Sequence, residues 1–358
     1  MGGIGLLCAL LLGVVSGSVS LSPGSVWQAL FPGAYQSAPP AADAAAHTRA
    51  LNADQVALIV QQLRLPRVLL AACIGALLAV SGAVMQGLFR NPLADPSLIG
   101  VTAGAIAGAS LVIVFGSALA ASELWPALAS WLNAGQVAGL SLVSLGAFIG
   151  GALTVWLVYQ LASTSAGTSV STMLLAGIAI TALAGSLSSL LEFYADNAML
   201  RRISVWRMGG LDGAGYHGLL FAALCLALVL AVLPRYARAL NLLLLGESEA
   251  RHLGINVERL KLSLVLIVAL AVGVSVALAG SIAFIGLIVP HIVRLLIGPD
   301  HRALLPLAAL VGAILLVLAD CLARTLIAPA ELPLGVITAL LGAPFFISLL
   351  RSRHQYGF

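Results

Sequence analysis

The chain has 358 residues, of which 61% are hydrophobic and only 8% charged, and its formal net charge is +4. A soluble protein carries about 25% charged residues, so the 17 basic and 13 acidic side chains of this chain could not cover the surface of a folded globule of its size. The composition excludes a cytosolic enzyme, a nucleic-acid binder and a disordered chain, and it indicates a protein whose solvent is lipid.

Apolar runs of about 20 residues, the length that crosses the hydrocarbon core of a bilayer, follow one another along the chain. Nine runs have about this size, and a shorter tenth run is interrupted by Pro290. We therefore expect an all-α fold with ten transmembrane helices, a single transmembrane domain over residues 1–358, and both termini in the cytoplasm. The predicted spans are 4–21, 66–88, 97–121, 137–161, 172–192, 216–234, 260–279, 281–297, 303–322 and 333–350.

The first run has two interpretations. Residues 15–20 are rich in small side chains, which is typical of a signal-peptide cleavage site. The run lacks the basic residues that begin a signal peptide, and their absence favours a first helix that is retained.

Two loops are long enough to carry a function. Residues 22–63, which include a Pro/Ala-rich stretch at 37–46, form a predicted external segment. Residues 235–261 hold most of the predicted cytoplasmic charge, and a short polar helix is expected within them. With the termini inside, ten basic residues lie on the cytoplasmic side and seven outside. This small excess weakly favours the orientation with cytoplasmic termini.

Small residues recur at helical spacing in three spans. Gly100, Gly104 and Gly108 repeat every four residues, as do Gly146 and Gly150 in the next span. This spacing predicts close helix packing, because small residues let two helix backbones approach each other in lipid.

The fifth span carries a second small-residue stripe. It could line a polar pathway, although helix packing is the favoured interpretation. The four pathway candidates are Gly177, Thr181, Gly185 and Ser188.

Motifs for energy conversion and catalysis are missing from the sequence. The single lysine, Lys261, is followed by Leu262, so the chain lacks the phosphate-binding G-x-x-x-x-G-K-[ST] loop. The four cysteines have no metal-ligand or disulfide spacing. We expect neither a metal site nor an enzyme.

The composition also leaves open that the chain is an ion-coupled secondary transporter. Such a carrier usually has an ionisable group near the middle of the bilayer. Here Glu192 and Asp320 lie toward span ends, and Asp320 can pair with Arg324 one helical turn later. This placement favours a conduit powered by another protein.

Six short motifs point to a known family when they are taken together and in order. The sequence resembles, from about Leu63 to Arg351, the permease subunits of ABC importers of the FecCD/BtuC type. The motifs are 64–67 (RLPR), 81–86 (SGAVMQ), 91–96 (NPLADP), 246–250 (GESEA) with 253–254 (LG), 284–291 (FIGLIVPH), and 331–335 (ELPLG) with 342–345 (GAPF).

The resemblance implies an assembly in the bacterial inner membrane. Two copies of the chain would form a homodimer around the translocation path, and spans 2–5 and 7–10 would be inverted repeats. Two separate ATPase subunits would bind ATP and Mg²⁺, and a periplasmic binding protein would deliver the cargo. No cofactor is expected in this chain.

The resemblance also implies a docking site for the binding protein on the external side. Arginine suits such a site because its guanidinium group holds a carboxylate with two parallel hydrogen bonds. The alternative for each arginine is contact with lipid headgroups, and Arg324 has a further alternative, a structural pair with Asp320. The docking residues are predicted to be Arg64, Arg67 and Arg324; Arg201, Arg202 and Arg207 are further candidates.

On the cytoplasmic side, the 246–254 stretch resembles the coupling helix that inserts into a cleft of the ATPase. A short charged helix that stops at a glycine can move as a rigid unit. An ordinary solvated loop is the alternative. The coupling residues are predicted to be Gly246, Glu247, Glu249, Ala250, Arg251 and Gly254.

The cytoplasmic gate is assigned by motif position alone. A competing interpretation is local, because Ser171 and Thr172 stand where a helix N-cap belongs and Asn91-Pro92 is a natural turn. The gate residues are predicted to be Asn91, Leu93, Ser169, Ser171 and Thr172.

The external linker at residues 193–206 resembles haem importers more than vitamin B12 importers. Haem is therefore the favoured cargo, with ferric siderophore and cobalamin as alternatives. His291 belongs to a motif that the family shares whatever its cargo, so a structural or gating role is expected for it rather than iron binding.

Overall fold

Helices make up nearly all of the ordered architecture in the computed structural model, which describes residues 2–19, 21–31, 52–120, 136–137, 140–164 and 167–355. The first half of the chain forms α1 (Gly2–Val15), α2 (Pro23–Leu30), α3 (Ala53–Leu58), α4 (Leu65–Leu88), α5 (Val101–Ala120), α6 (Leu142–Ala162), α7 (Val170–Tyr194) and α8 (Asn197–Met208). The second half forms α9 (Tyr216–Val232), α10 (Ala237–Leu243), α11 (Glu247–His252), α12 (Val257–Ala279), α13 (Ile285–Ile297), α14 (His301–Thr325) and α15 (Leu334–Gln355).

Short irregular elements join these helices. A π-helical turn, Ile59–Arg64, connects α3 to α4, and 3-10 turns occupy Pro96–Ile99 and Leu233–Tyr236. Two antiparallel hairpins of two-residue strands pair β1 (Gln136–Val137) with β2 (Leu140–Ser141), and β3 (Ser163–Thr164) with β4 (Gly167–Thr168). The mainly helical prediction is therefore confirmed, and the four small strands lie only in connections.

Six helices in the described part of the chain are long and apolar enough to cross a membrane. Four shorter apolar helices accompany them, and the count of ten spans stays a prediction, as do the inverted repeats. The six are Ala53–Leu88, Leu142–Ala162, Val170–Tyr194, Tyr216–Leu243, Val257–Ala279 and His301–Thr325; the shorter ones are Gly2–Val15, Val101–Gly116, Ile285–Ile297 and Leu334–Ser348.

The second predicted span is longer than the sequence indicated. The helix begins at Ala53 rather than at residue 66, and the backbone N–H of Asn52 donates to Gln55 Oε1 at 3.0 Å. Polar residues such as Gln61 lower the hydrophobicity of this first part, which is why the apolar run begins later. The external segment therefore contains α2 and this helical extension, while residues 32–51, with the Pro/Ala-rich stretch, lie outside the described residues.

The close packing predicted from the glycines of α5 and α6 is confirmed. A Cβ atom added to Gly108 would collide with the carbonyl oxygen of Gly146, and one added to Gly104 would meet Gly150 in the same way. The centre of the bundle is α4, which is buried along nearly its whole length and packs against α14, α13, α12 and α9.

Helix α13 is unusually short for a membrane segment. It has 13 residues, contains Pro290, and is preceded by Phe284 in the left-handed region at φ 68°. The neighbouring residues 280–284 are not helical, and Gly280 also has a positive φ, of 65°. The apolar run that Pro290 interrupts therefore corresponds to a non-helical segment, residues 280–284, followed by a helix that is shorter than a full membrane span.

The helices bring functional candidates together at two ends of the bundle, which we name after the predicted orientation. The external end consists of the last turn of α1, the first turn of α4, α8, the 209–215 loop, the last turns of α14 and the first turn of α15. The cytoplasmic end consists of the 89–99 segment, the β3–β4 hairpin, α10, α11 and the first turn of α12.

Candidate functional site

Arg67 is the centre of an ion cluster at the external end. Its guanidinium group lies 3.0 Å from Asp320, 2.8 Å from Glu331 and 3.5 Å from Asp212, although only 13% of its side chain is exposed. Partial desolvation raises the pKa of Asp212, although 69% of its side chain is exposed, and the nearby positive charge of Arg67 opposes that shift. Arg67 thus joins α4, the 209–215 loop, α14 and the segment before α15.

Arg324 is buried and holds α1 against α14. Its side chain is 3% exposed and lies 3.0 Å from Asp320 Oδ2, which confirms the pair predicted from their spacing. It also donates hydrogen bonds to the backbone oxygens of Ser16 at 2.7 Å and Gly13 at 2.9 Å. The last carbonyl groups of a helix have no partner within the helix, and Arg324 supplies one for the end of α1.

Arg64 completes the same cap from the other side. It is 6% exposed and donates to the backbone oxygens of Val14 at 3.0 Å and Val15 at 2.6 Å, and to that of Val19. A cation at a helix C-terminus is also favoured by the helix dipole. Docking by Arg64 and Arg324 stays a prediction, and the burial of both side chains within one chain disfavours it.

A cavity of about 860 Å³ opens beside this cluster at the external end. Arg201 and Arg202 of α8 are exposed and line it, together with Trp206, whereas Arg207 turns away and pairs with Glu192 at 3.1 Å. The accessible cations of this rim therefore belong to α8, and they are the residues that the sequence ranked below Arg64 and Arg67.

Helix α11 lies at the cytoplasmic end with one face inward and one outward. Ala250 is fully buried, while Glu249 and Arg251 are exposed. Gly246 and Gly254 flank the helix with φ of +129° and +85°, which glycine adopts at little steric cost. The short polar helix expected here is present. Arg251 pairs with Glu258 at 3.1 Å, whereas Glu249 has no ion pair within the described residues and is open to another protein.

A residue that sequence reasoning did not select ties α11 to the rest of the bundle. Lys261 in the first turns of α12 is 1% exposed, and its Nζ lies 2.7 Å from Glu247 Oε2. The same ammonium group donates to the backbone oxygen of Thr168 at 2.5 Å. Lys261 and Thr168 are separated by 93 residues, so no local motif could have indicated this contact.

The gate candidates lie in two capping structures. Asn91 Oδ1 accepts a hydrogen bond from the backbone N–H of Leu93 at 2.9 Å, and Ser169 accepts one from Thr172 N–H at 3.2 Å. The N-cap of α7 is therefore Ser169, which corrects the placement of a cap at Ser171 or Thr172. Both turns are real; a gating role for these residues stays a prediction.

The small-residue stripe of α7 divides between two environments. A Cβ atom on Gly177 would collide with the carbonyl oxygen of Leu98, and Ser188 is buried and bonds back to Ala184. Thr181 and Gly185 are exposed in the single chain. Close packing explains Gly177, as the favoured interpretation predicted, and a pathway role for the four positions stays a prediction.

His291 lies inside α13, 8% exposed, with its ring edge-on to Phe345 at a centroid distance of 6.2 Å. This burial fits the structural role expected for His291, and a gating role stays a prediction.

Comparison with known proteins decides the family. The FecCD transport family matches residues 5–352 of this chain. The chain belongs to the FecCD transport family. This FecCD permease is a component of an ABC importer and not an enzyme, and the family match includes the first apolar run, which the resemblance in the sequence had left out.

Relatives and a solved structure agree with this assignment. The FecCD permease is 47% identical to the hemin transport system permease protein HmuU of Yersinia pestis, over 82% of this chain and 83% of that protein. It is 42% identical to the cobalamin import system permease protein BtuC of Halobacterium salinarum, over 82% and 74%. A metal-chelate type ABC transporter solved in an inward-facing conformation matches with a TM-score of 0.78 and 32% identity, covering 98% of this chain and 97% of that one.

Proposed function

We propose that this FecCD permease carries haem across the bacterial inner membrane as part of an ATP-driven importer. The observation that carries the choice of cargo is the 47% identity to the hemin permease, against 42% to the cobalamin permease over the same share of this chain. Ferric siderophore and cobalamin are the alternative cargoes within the family.

The power stroke comes from two separate ATPase subunits that bind ATP and Mg²⁺. Helix α11 supports this assignment because it presents Glu249 and Arg251 to solvent while Ala250 anchors it to the bundle. A helix held on one face and charged on the other can be displaced as a unit by a partner that grips the exposed face.

A second copy of the chain completes the permease as a homodimer. Helix α7 supports this, since many of its large apolar side chains are exposed in a single chain. A large exposed apolar face marks contact with lipid or with another protein. The exposed large apolar residues of α7 are Leu175, Ile178, Leu183, Leu187, Leu190, Phe193 and Tyr194.

The periplasmic binding protein docks on the external end. The exposed Arg201 and Arg202 beside the cavity support a contact with acidic side chains. Arg67 lies deeper, and its three carboxylate partners leave less of its charge for a second protein.

Uptake by reconstituted vesicles tests the proposal. Vesicles containing the permease, its ATPase and its binding protein are offered haem, ferric siderophore and cobalamin in parallel, and haem is expected to accumulate only with ATP inside. Accumulation of another chelate instead of haem would overturn the cargo. Accumulation by the permease alone, abolished by an uncoupler, would instead indicate a secondary transporter.

A further inference from the structure

Lys261 is the only lysine among the 17 basic residues of the chain, and it is almost completely buried at the cytoplasmic end. Its three ammonium protons face three acceptors, Thr168 O at 2.5 Å, Glu247 Oε2 at 2.7 Å and Glu258 Oε1 at 3.5 Å. A compact ammonium with three donors suits this arrangement, whereas a planar guanidinium would not.

One of these acceptors belongs to the helix that faces the ATPase. Glu247 is the first residue of α11, with 28% of its side chain exposed, and Lys261 is its shortest ion-pair partner. Arg251 also approaches Glu247, at 3.6 Å, but its side chain is 54% exposed. An exposed pair contributes little because water screens it, so the buried Lys261 is the stronger tether of α11.

Another acceptor belongs to the connection that leads into α7. Thr168 ends the β3–β4 hairpin and directly precedes Ser169, the N-cap of α7. Lys261 binds the carbonyl of Thr168, while Glu258 Oε2 accepts the N–H of the same residue at 2.7 Å. Both peptide groups of Thr168 are therefore held by side chains from the first turns of α12.

The preceding residue, Gly167, has a φ of +118°, and a Cβ atom there would lie 3.0 Å from Glu258 Oε1. The hairpin thus approaches α12 through a residue without a side chain. Two polar contacts of Lys261, a buried one to Thr168 and a part-buried one to Glu247, therefore link α11 to the residue that precedes the N-cap of α7.

We propose that Lys261 is a positioning residue that couples α11 to the first turn of α7, so that ATPase-driven motion of α11 shifts the N-terminal end of α7. This inference rests on the proposed function, because it assigns the route by which a power stroke applied to α11 enters the membrane helices. Lys261 acts through Glu247 and Thr168, and its side chain is buried away from solvent.

The test uses the complete importer in vesicles, with the permease carrying Lys261→Met, which keeps length but removes the charge. The readouts are ATP hydrolysis and the number of cargo molecules imported per ATP. We expect hydrolysis to continue and the ratio to fall about tenfold, since a tenfold change needs only about 1.4 kcal/mol of coupling. Lys261→Arg keeps the charge and is expected to restore part of the ratio.

The matched control is Arg259→Met, which removes a cation from the same turn of α12. Arg259 is exposed and has no ion pair within the described residues, so its variant should keep the wild-type ratio. A wild-type ratio for Lys261→Met, or equal losses for Lys261→Met and Arg259→Met, would overturn the proposal.

A second variant covers the case in which Lys261→Met does not fold. Glu247→Gln leaves Lys261 bound to Thr168 and Glu258 but weakens its bond to α11, and it should lower the ratio in the same direction. If both single variants fold, the double variant should have a ratio no lower than that of Lys261→Met, because both substitutions remove the same contact between Lys261 and Glu247. Additive losses, or a wild-type ratio for Glu247→Gln, would contradict the route.

Failure of this inference is distinguishable from failure of the proposed function. If the wild-type assembly imports nothing with ATP, the proposed function is wrong. If it imports any of the three chelates with ATP, the ratio can be measured with that cargo, and the Lys261 variants then decide the inference alone.

Discussion

Both ends of this permease contain buried cations that bind within the chain, and they differ in the charges that they expose. At the external end, Arg64, Arg67 and Arg324 bind acceptors within the chain and hold helix ends together. At the cytoplasmic end, the buried Lys261 also binds internally, but α11 turns Glu249 to solvent. An arginine beside a membrane boundary is therefore not by itself a docking residue. Whether it can bind another protein depends on how exposed it is and on whether acceptors within the chain already bind it.

The largest effect should come from breaking the external cluster. Arg324→Gln is expected to destabilise the protein by about 3 kcal/mol, because it leaves the buried Asp320 with one cation fewer and the α1 carbonyls without a charged donor. Thermal unfolding in detergent measures the change. Arg207→Gln, which breaks an exposed pair with Glu192, should cost at most about 1 kcal/mol. Equal losses in the two variants would remove the contrast between buried and exposed arginines.

An intermediate effect is expected at the cytoplasmic end. Glu249→Arg reverses a charge on the exposed face of α11, so ATP-driven uptake should fall about tenfold while thermal stability stays unchanged. Ser248→Ala, at the neighbouring exposed position, is the control and should transport normally. Normal uptake by Glu249→Arg would argue against the coupling role of α11.

The smallest effect concerns docking. Replacing both Arg201 and Arg202 with Glu should weaken binding-protein docking about threefold at low salt and hardly at all at high salt. The reason is that dissolved salt screens the attraction between exposed charges. Titration of the binding protein onto permease in nanodiscs measures it. If Arg64→Gln weakens docking more than the double reversal while its stability is retained, Arg64 rather than α8 provides the site.

Features set by local spacing could be predicted from the sequence. The pair of Asp320 with Arg324, the glycine contacts of α5 with α6, and the short charged helix near residue 250 all follow from residues within a few turns or from regular repeats. The family followed from short motifs in order, because each motif is local.

Features set by contacts between distant segments could not be predicted. Arg64 caps a helix that ends about fifty positions earlier, and Lys261 binds a carbonyl 93 positions away. The start of the second span was missed because its first turns carry polar residues that lower hydropathy without breaking the helix. The N-cap of α7 is Ser169 and not Ser171 or Thr172. Several hydroxyl residues lie close together at the start of that helix, and their spacing alone does not show which one is the cap.

The shortness of α13 has a consequence for how the chain enters the membrane. At 1.5 Å per residue its 13 residues extend roughly 20 Å, less than the ~30 Å thickness of the hydrocarbon layer. Non-helical backbone such as residues 280–284 is tolerated at that depth only where protein surrounds it. Helix α13 packs mainly against α4 and α14, so we expect this segment to take its place only when these two helices have packed around it, and not as an independently inserted helix.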